Sequence, residues 1–403
     1  MRSPFFLSAV ALGVLVVMPR VHAEDFRRPP SASDLGEGVE LTPWLHLKPS
    51  VRHTSYYTTN VDQAPNRRKD EDYTFATHMG LDLRAENEDG DSWFQAGYVL
   101  TSLLYARKGR YDTFQHLVRY DCQLTASKFT LYSSGTGSWA VTNSDPQFAG
   151  RVRNFGGNIH AGVDWDPTDV FGFRVDGDVG EVRNFPHTLQ PINNYQWRGG
   201  AFAVFKPNVD FDLEFEVGGQ LRGFDYYDKG RTNPDIDAGG VLGGVRVGSE
   251  IIQFQGRAGF EFAWASSRRS LPRRGFGSEI PNPFYGNLSV TFTPIQTLTI
   301  TGFASHELRY SGAARFQRAT TFGGTVEQQI PVVEGLRVFA GANYNIQDNV
   351  HATILRTQSY IGGIGWRIVE YVEIGTQATY IRSNSRTGGF ETFTAGGSIT
   401  LTY

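Results

Sequence analysis

From Trp44 to Tyr403 the chain repeats one pattern: a run in which every second residue is apolar, then a cluster of turn formers, then another such run. A period of two marks a strand whose two faces meet different surroundings. The last run shows it clearly. Phe393, Ala395, Gly397, Ile399, Leu401 and Tyr403 alternate with Thr394, Gly396, Ser398, Thr400 and Thr402. Alternation and turn chemistry together mark about 18 runs, with 16 as the next choice. They begin near Trp44, Tyr73, Trp93, Phe114, Phe129, Val152, Phe171, Tyr195 and Val209. The second half begins near Ile236, Ile252, Phe284, Leu298, Arg318, Leu336, Thr357, Val372 and Phe390. No stretch after Ala23 approaches the ~20 apolar residues of a transmembrane helix.

An all-β chain of this kind folds as a soluble sandwich or as a closed transmembrane barrel. Connection lengths separate the two. Counted back from Tyr403, one set is short: 368–371, 331–335, 293–297, 248–251, 206–208, 166–169 and 127–128. The intervening set is longer or more polar: 383–389, 348–356, 311–317, 266–283, 228–234, 184–194, 143–151, 107–112 and 59–72. Outer-membrane barrels alternate short periplasmic turns with longer external loops in this way, whereas a sandwich has no reason to. Glu86–Ser92 is somewhat long for the short side. The expectation is therefore an antiparallel transmembrane β-barrel over residues 41–403, in the outer membrane of a Gram-negative bacterium.

The N-terminus fits that destination. Arg2 precedes an apolar run, Phe5 to Met18, and Val21-His22-Ala23 is an acceptable cleavage site. Residues 1–23 read as a signal peptide. Residues 24–40 are polar and rich in Pro and Gly, and read as a periplasmic tail. Losing Arg2 and Arg20 takes the formal charge from −3 to about −5. The basic residues are scattered, so no nucleic-acid surface is expected. The single Cys122 has no disulfide partner in the chain and falls in phase with Phe114, Val118, Tyr120 and Leu124. Trp44, Trp93, Tyr195, Trp264, Tyr310 and Tyr371 are candidates for the aromatic girdles at the membrane interfaces.

One face of many runs carries charge, which points to a wet interior. Arg174, Asp176 and Asp178 share a face, as do Asp210, Asp212, Glu214 and Glu216. Arg246, Arg257, Glu261, Glu307 and Arg309 follow, then Glu327, Arg337, Glu373 and Glu391. Such residues set selectivity when they are free, and simply keep the interior polar when they pair across neighbouring strands. Their mixed sign gives no clear ion preference. The basic segment Ser266–Gly275 is a candidate for attracting acidic polymer at the external mouth.

No catalytic pattern stands out in the sequence. Asp164, Asp166 and Asp169 do not have calcium-loop spacing and read as an acidic turn. His306 points to the opposite face from Glu307. His351 with Asp348 reads as a solvated loop pair. No Ser sits in a G-x-S-x-G elbow. Neither an enzyme nor a cofactor is expected.

Three segments carry a family resemblance: Phe284 to Ser305, Thr321 to Gly324 and Gly335 to Ala342, with the close of the chain from Tyr360 similar in pattern. They resemble the β-barrel porin 2 family. The resemblance implies a passive outer-membrane conduit passing exopolysaccharide from periplasm to exterior, with periplasmic export components as partners. The terminal run, with Phe393, Ile399, Leu401 and the aromatic Tyr403, looks like the signal read by the barrel-insertion machinery. A general diffusion porin, a barrel enzyme acting on lipid or peptide and a soluble secreted β-protein are the alternatives.

Overall fold

The computed structural model describes residues 38–60, 71–87, 90–109, 112–142, 152–185, 194–207, 212–226, 236–265, 284–309, 317–349, 355–385 and 388–403. The strands are β1 (Val39–Thr42), β2 (Leu45–Thr58), β3 (Asp72–Glu86), β4 (Trp93–Tyr105), β5 (Thr113–Ala126) and β6 (Phe129–Thr142). Next come β7 (Val152–Trp165), β8 (Phe171–Phe185), β9 (Asn194–Phe205), β10 (Asp212–Tyr226), β11 (Ile236–Gly248) and β12 (Ile252–Ala265). The last seven are β13 (Phe284–Ile295), β14 (Leu298–Arg309), β15 (Gln317–Gln329), β16 (Leu336–Asn349), β17 (Leu355–Val369), β18 (Val372–Ser385) and β19 (Gly388–Thr402).

From β2 onward each strand pairs antiparallel with the next, and β19 returns to pair with β2, Thr394 opposite Thr58 through Thr402 opposite Ser50. The ring of β2 to β19 is therefore a closed antiparallel barrel of 18 strands. Every expected strand start lies within three residues of an observed one. Residues 1–23, expected as a signal peptide, and 24–37, expected as tail, lie outside the described residues, as do Asp210, Tyr310, His351 and the basic segment 266–275.

Two stretches differ from expectation. Residues 39–40, read as tail, belong to β1, which pairs with β2 through Val39 opposite Leu47 and Glu40 opposite His46. On that same edge of β2 the last strand reaches only Ser50, and Tyr403 N–H donates to Pro49 O at 3.2 Å. The alternating Val39-Glu-Leu-Thr42 thus covers strand edge that would otherwise stay open. Second, 383–389 is mostly strand: Ser385 pairs with Gly388, leaving only 386–387 to connect β18 to β19. That is the length of a tight hairpin, whose polar small residues resemble a loop in sequence.

The two faces of the wall separate by chemistry. Outward positions are large, apolar and exposed: Phe173 and Val175 on β8, Val241 on β11, Phe260 and Phe262 on β12, Phe393 and Ile399 on β19. Inward positions between them are polar and buried, such as Thr54, Thr74, Arg174, Glu261, Thr321 and Thr400. Exposed apolar residues all round a closed sheet are what a lipid-embedded barrel presents, because lipid rewards them and closure satisfies every interior backbone group.

Inward glycines let neighbouring strands lean over one another, most closely across β10 to β12. A Cβ on Gly218 of β10 would lie 2.0 Å from Ala201 O, and one on Gly259 of β12 would lie 2.0 Å from Val241 O. On Gly240 of β11 it would lie 2.3 Å from Phe260 O. The neighbouring strand leans over each of these positions, so only glycine fits, and the sheet turns sharply there. Gly259→Ala should therefore lower barrel stability by about 1–3 kcal/mol. Gly199→Ala, with nothing within 4 Å, should be near neutral. Urea midpoints of the refolded barrel in micelles decide this: equal midpoints for the two variants would contradict the bend.

Candidate functional site

The bent part of the wall, β7 to β14, turns a dense set of charged side chains inward. Alternation places them: Arg174, Asp176 and Asp178 on β8, Glu214, Glu216 and Arg222 on β10, and Arg257 and Glu261 on β12. Directly opposite residues often carry opposite charge. Asp164 faces Arg174, Asp178 faces Arg198 and Glu214 faces Arg246.

Arg174 is the centre of the first group. Its Nε and Nη2 donate to the two carboxylate oxygens of Asp164, both at 2.9 Å, in the two-pronged geometry that suits a guanidinium. The same guanidinium reaches Glu216 at 3.1 Å and Glu214 at 3.3 Å. Arg246 meets Glu214 at 3.5 Å, and Lys206 meets Asp166 at 2.8 Å and Glu214 at 3.6 Å. Arg257 extends the network: it donates to Asp176 at 3.1 Å, forks onto Glu216, and lies 4.4 Å from the centre of the Phe202 ring. Arg198 pairs with Asp178, which also meets His160 Nδ1 at 3.0 Å. Arg222 pairs with Glu261, approaches Glu307 at 3.9 Å and sits over Phe224. Phe202, Leu242 and Tyr285, from β9, β11 and β13, pack as a buried apolar cluster on the same wall.

The reach of these contacts measures the bend. Asp176 on β8 and Arg257 on β12 are four strands apart, about 19 Å along a wall with strands ~4.8 Å apart. They nevertheless meet at 3.1 Å, which requires a tight inward fold of this side of the barrel. Arg174 is only 3% exposed and Glu261 2%, so this part of the interior is packed with side chains. Each of these charges has an opposite partner, as a charge buried in a low-dielectric setting must.

The expected interior residues divide as follows. Arg174, Asp176, Asp178, Glu214, Glu216, Arg246, Arg257, Glu261 and Glu307 join this network. Asp212 is exposed at the start of β10, and the side chain of Arg309 lies outside the described residues. Glu327, Arg337 and Glu373 form a separate group, with Arg337 3.4 Å from Glu327 and 2.8 Å from Glu373. Glu391 is a correction: it shares the outward face of Phe393 and meets Arg382 at 3.6 Å. Its position two residues before Phe393 already places it on the outward face, so its charge alone pointed inward, and next to the short β18–β19 connection a carboxylate can stay outside the apolar belt. Trp93 is likewise in phase with the inward Val99 and Leu103, whereas Trp44, Trp264 and Tyr371 are exposed. Phe393, Ile399 and Leu401 are exposed outward, and Tyr403 stacks on Tyr371 at 5.9 Å.

Several members of the site were missed by the sequence reading. Asp164, assigned to an acidic turn, is a strand residue and the principal partner of Arg174. Arg222 continues the inward phase of Glu214 and Glu216, so alternation carried two residues further past Gln220 would have found it. Arg198 sits in Trp197-Arg-Gly-Gly200, where adjacent glycines erase the period. His306 faces outward and bonds Thr320 at 2.8 Å. Among the described residues, no set of three or more His, Cys, Asp or Glu side chains is placed to hold a metal ion.

No family model matches the chain, and no curated protein matches it. Solved structures similar in outline include OccAB3 of Acinetobacter baumannii, at 9% identity over 89% of this chain and 99% of that one, TM-score 0.43. Pseudomonas aeruginosa OpdK, solved with vanillate, is 9% identical over 89% and 98%, TM-score 0.45. The P. aeruginosa siderophore receptor PirA is 7% identical over 89% and 80%, TM-score 0.42. The barrel assignment rests on this chain's own strand pairing, which closes 18 antiparallel strands around a charged interior inside an apolar belt: the architecture of the outer-membrane type.

Proposed function

We propose that the protein is a passive outer-membrane channel of a Gram-negative bacterium that carries polar solute through its charged interior. The observation behind this is the face separation of a closed ring. Apolar side chains are exposed outward on nearly every strand, and ionised side chains are held inward where only water or a polar solute can meet them. The cargo in this reading is an exopolysaccharide moving outward, as the resemblance of the C-terminal segments implies. Periplasmic export components would deliver it, the insertion machinery would recognise the terminal strand, and no chemistry is performed on the cargo. Deleting the gene should leave polymer in the periplasm and lower extracellular polysaccharide severalfold; unchanged extracellular polymer would sink the export reading.

One observation favours a second reading, a diffusion pore for small solutes. The interior charges of β7 to β14 are mutually paired, which leaves that wall without a strong single-sign field. Such a pore conducts small ions of both signs in a planar bilayer without any partner protein. A silent bilayer would argue against it.

A further inference from the structure

Away from the bent wall, the inner face of β17, β18, β19, β2 and β3 carries one row in register. Arg367 faces Glu373, Glu373 faces Thr400, Thr400 faces Arg52, and Arg52 faces His78. Glu373 and the neighbouring Glu327 are both engaged by Arg337, at 2.8 and 3.4 Å. Arg52 differs from most inward arginines of the wall. Arg119, Arg174, Arg198, Arg222, Arg246 and Arg257 each have a carboxylate within ion-pair distance. Among the described residues Arg52 has none: its Nη2 donates to Ser398 Oγ at 3.3 Å, and its Nε is buried without a hydrogen-bond acceptor, as are those of Arg119, Arg198, Arg222 and Arg337.

A guanidinium is always charged and presents its donors as a rigid fork. Holding a guanidinium without a counter-charge in a partly dehydrated wall is unfavourable, and a carboxylate can bridge its two terminal nitrogens, Nη1 and Nη2. We propose that Arg52, flanked by the hydroxyls of Ser398 and Thr400, is an anion subsite that holds the carboxylate of a passing solute. A single fork beside Glu373 suits a monoanion better than a dianion, because Glu373 repels the second charge. The cargo class this selects is a sugar acid or another carboxylate-bearing solute. The proposal rests on the interior being a solute path.

Galacturonate and its neutral counterpart galactose are the probes, applied to the purified full-length barrel in planar bilayers and, in parallel, by calorimetry in detergent. Galacturonate should block ion current and bind, and galactose at the same concentration should do neither. Arg52→Gln keeps hydrogen-bonding capacity but loses charge and fork; it should raise the half-blocking galacturonate concentration about tenfold. Arg52→Lys should restore part of the effect. Heat-modifiable gel migration confirms that each variant is folded. The same galacturonate response in wild type and Arg52→Gln, or equal responses to galactose and galacturonate, overturns the subsite. A barrel that conducts but shows no galacturonate response also overturns it, while leaving the channel reading intact. Galacturonate binding that depends on Arg52 in a barrel that passes no current supports the subsite and removes the channel reading.

Discussion

Arg174→Ala should cost the barrel about 3–5 kcal/mol, among the largest losses available to a single substitution in this chain. The reason is the number of carboxylates that depend on one guanidinium. Asp164, Glu214 and Glu216 all lie within 3.3 Å of it, and Arg174 itself is nearly inaccessible to water. Removing it leaves three acidic groups close together with less than their former compensation. Glu214 keeps Lys206 and Arg246 at 3.6 and 3.5 Å, Glu216 keeps Arg257, and Asp164 loses its two-pronged guanidinium bond. The urea midpoint of the refolded protein reads the loss. Adding Asp164→Asn to Arg174→Ala should recover part of it, because one of the three clustered carboxylates is then neutral. A midpoint for Arg174→Ala within 0.5 kcal/mol of wild type, about the scatter of ordinary surface substitutions, would mean that water already shields this wall.

Val241→Arg should cost about 2–4 kcal/mol, the penalty for a cationic side chain facing lipid near the bilayer midplane. Val241 is 67% exposed and lies midway along β11. Water would welcome an arginine at so open a position; hydrocarbon does not. Ile251→Arg, in the short connection between β11 and β12, should cost only about 0–1 kcal/mol because the headgroups are within reach. Folding titrations into liposomes measure both. Similar small effects at the two positions would mean that the outward face does not meet lipid, and the membrane reading would fall with it.

How much of this was visible in the sequence depends on which physical rule was at work. Strand starts were legible because a wall between lipid and water imposes a period of two on every strand, and β12 shows that period in Phe254, Ala258, Phe260, Phe262 and Trp264 against Gln253, Gln255, Arg257 and Glu261. The strand β1 was not, since four residues in a polar context carry too little alternation to stand out; it forms because β2 offers a free edge. For the site, the face of each charge was readable but its partner was not. Asp176 and Arg257 meet across four strands, and that contact depends on the fold of the wall at Gly218, Gly240 and Gly259. Inward glycines look like blanks in an alternation pattern. Their meaning appears only when the neighbouring backbone is in place. Arg52 was overlooked for a different reason: a lone cation between His and Val in sequence gives no hint that the nearby carboxylates are already engaged elsewhere.

The pairing of β19 with β2 also bears on the order of folding events. Every other seam in the ring joins strands that follow one another in the chain, so each can zip as a local hairpin at small entropic cost. The last seam joins Thr58 to Thr394, whose hydroxyls hydrogen-bond across 336 residues of chain. Non-local contact is concentrated in that one junction, and high contact order makes its formation slow. Until it forms, the curled sheet has two open edges, and edges of that kind invite pairing with other chains. The nine register pairs from Thr394–Thr58 to Thr402–Ser50 therefore form the slow kinetic step of barrel assembly. Loosening them should slow closure and increase aggregation, even where the finished ring loses little stability.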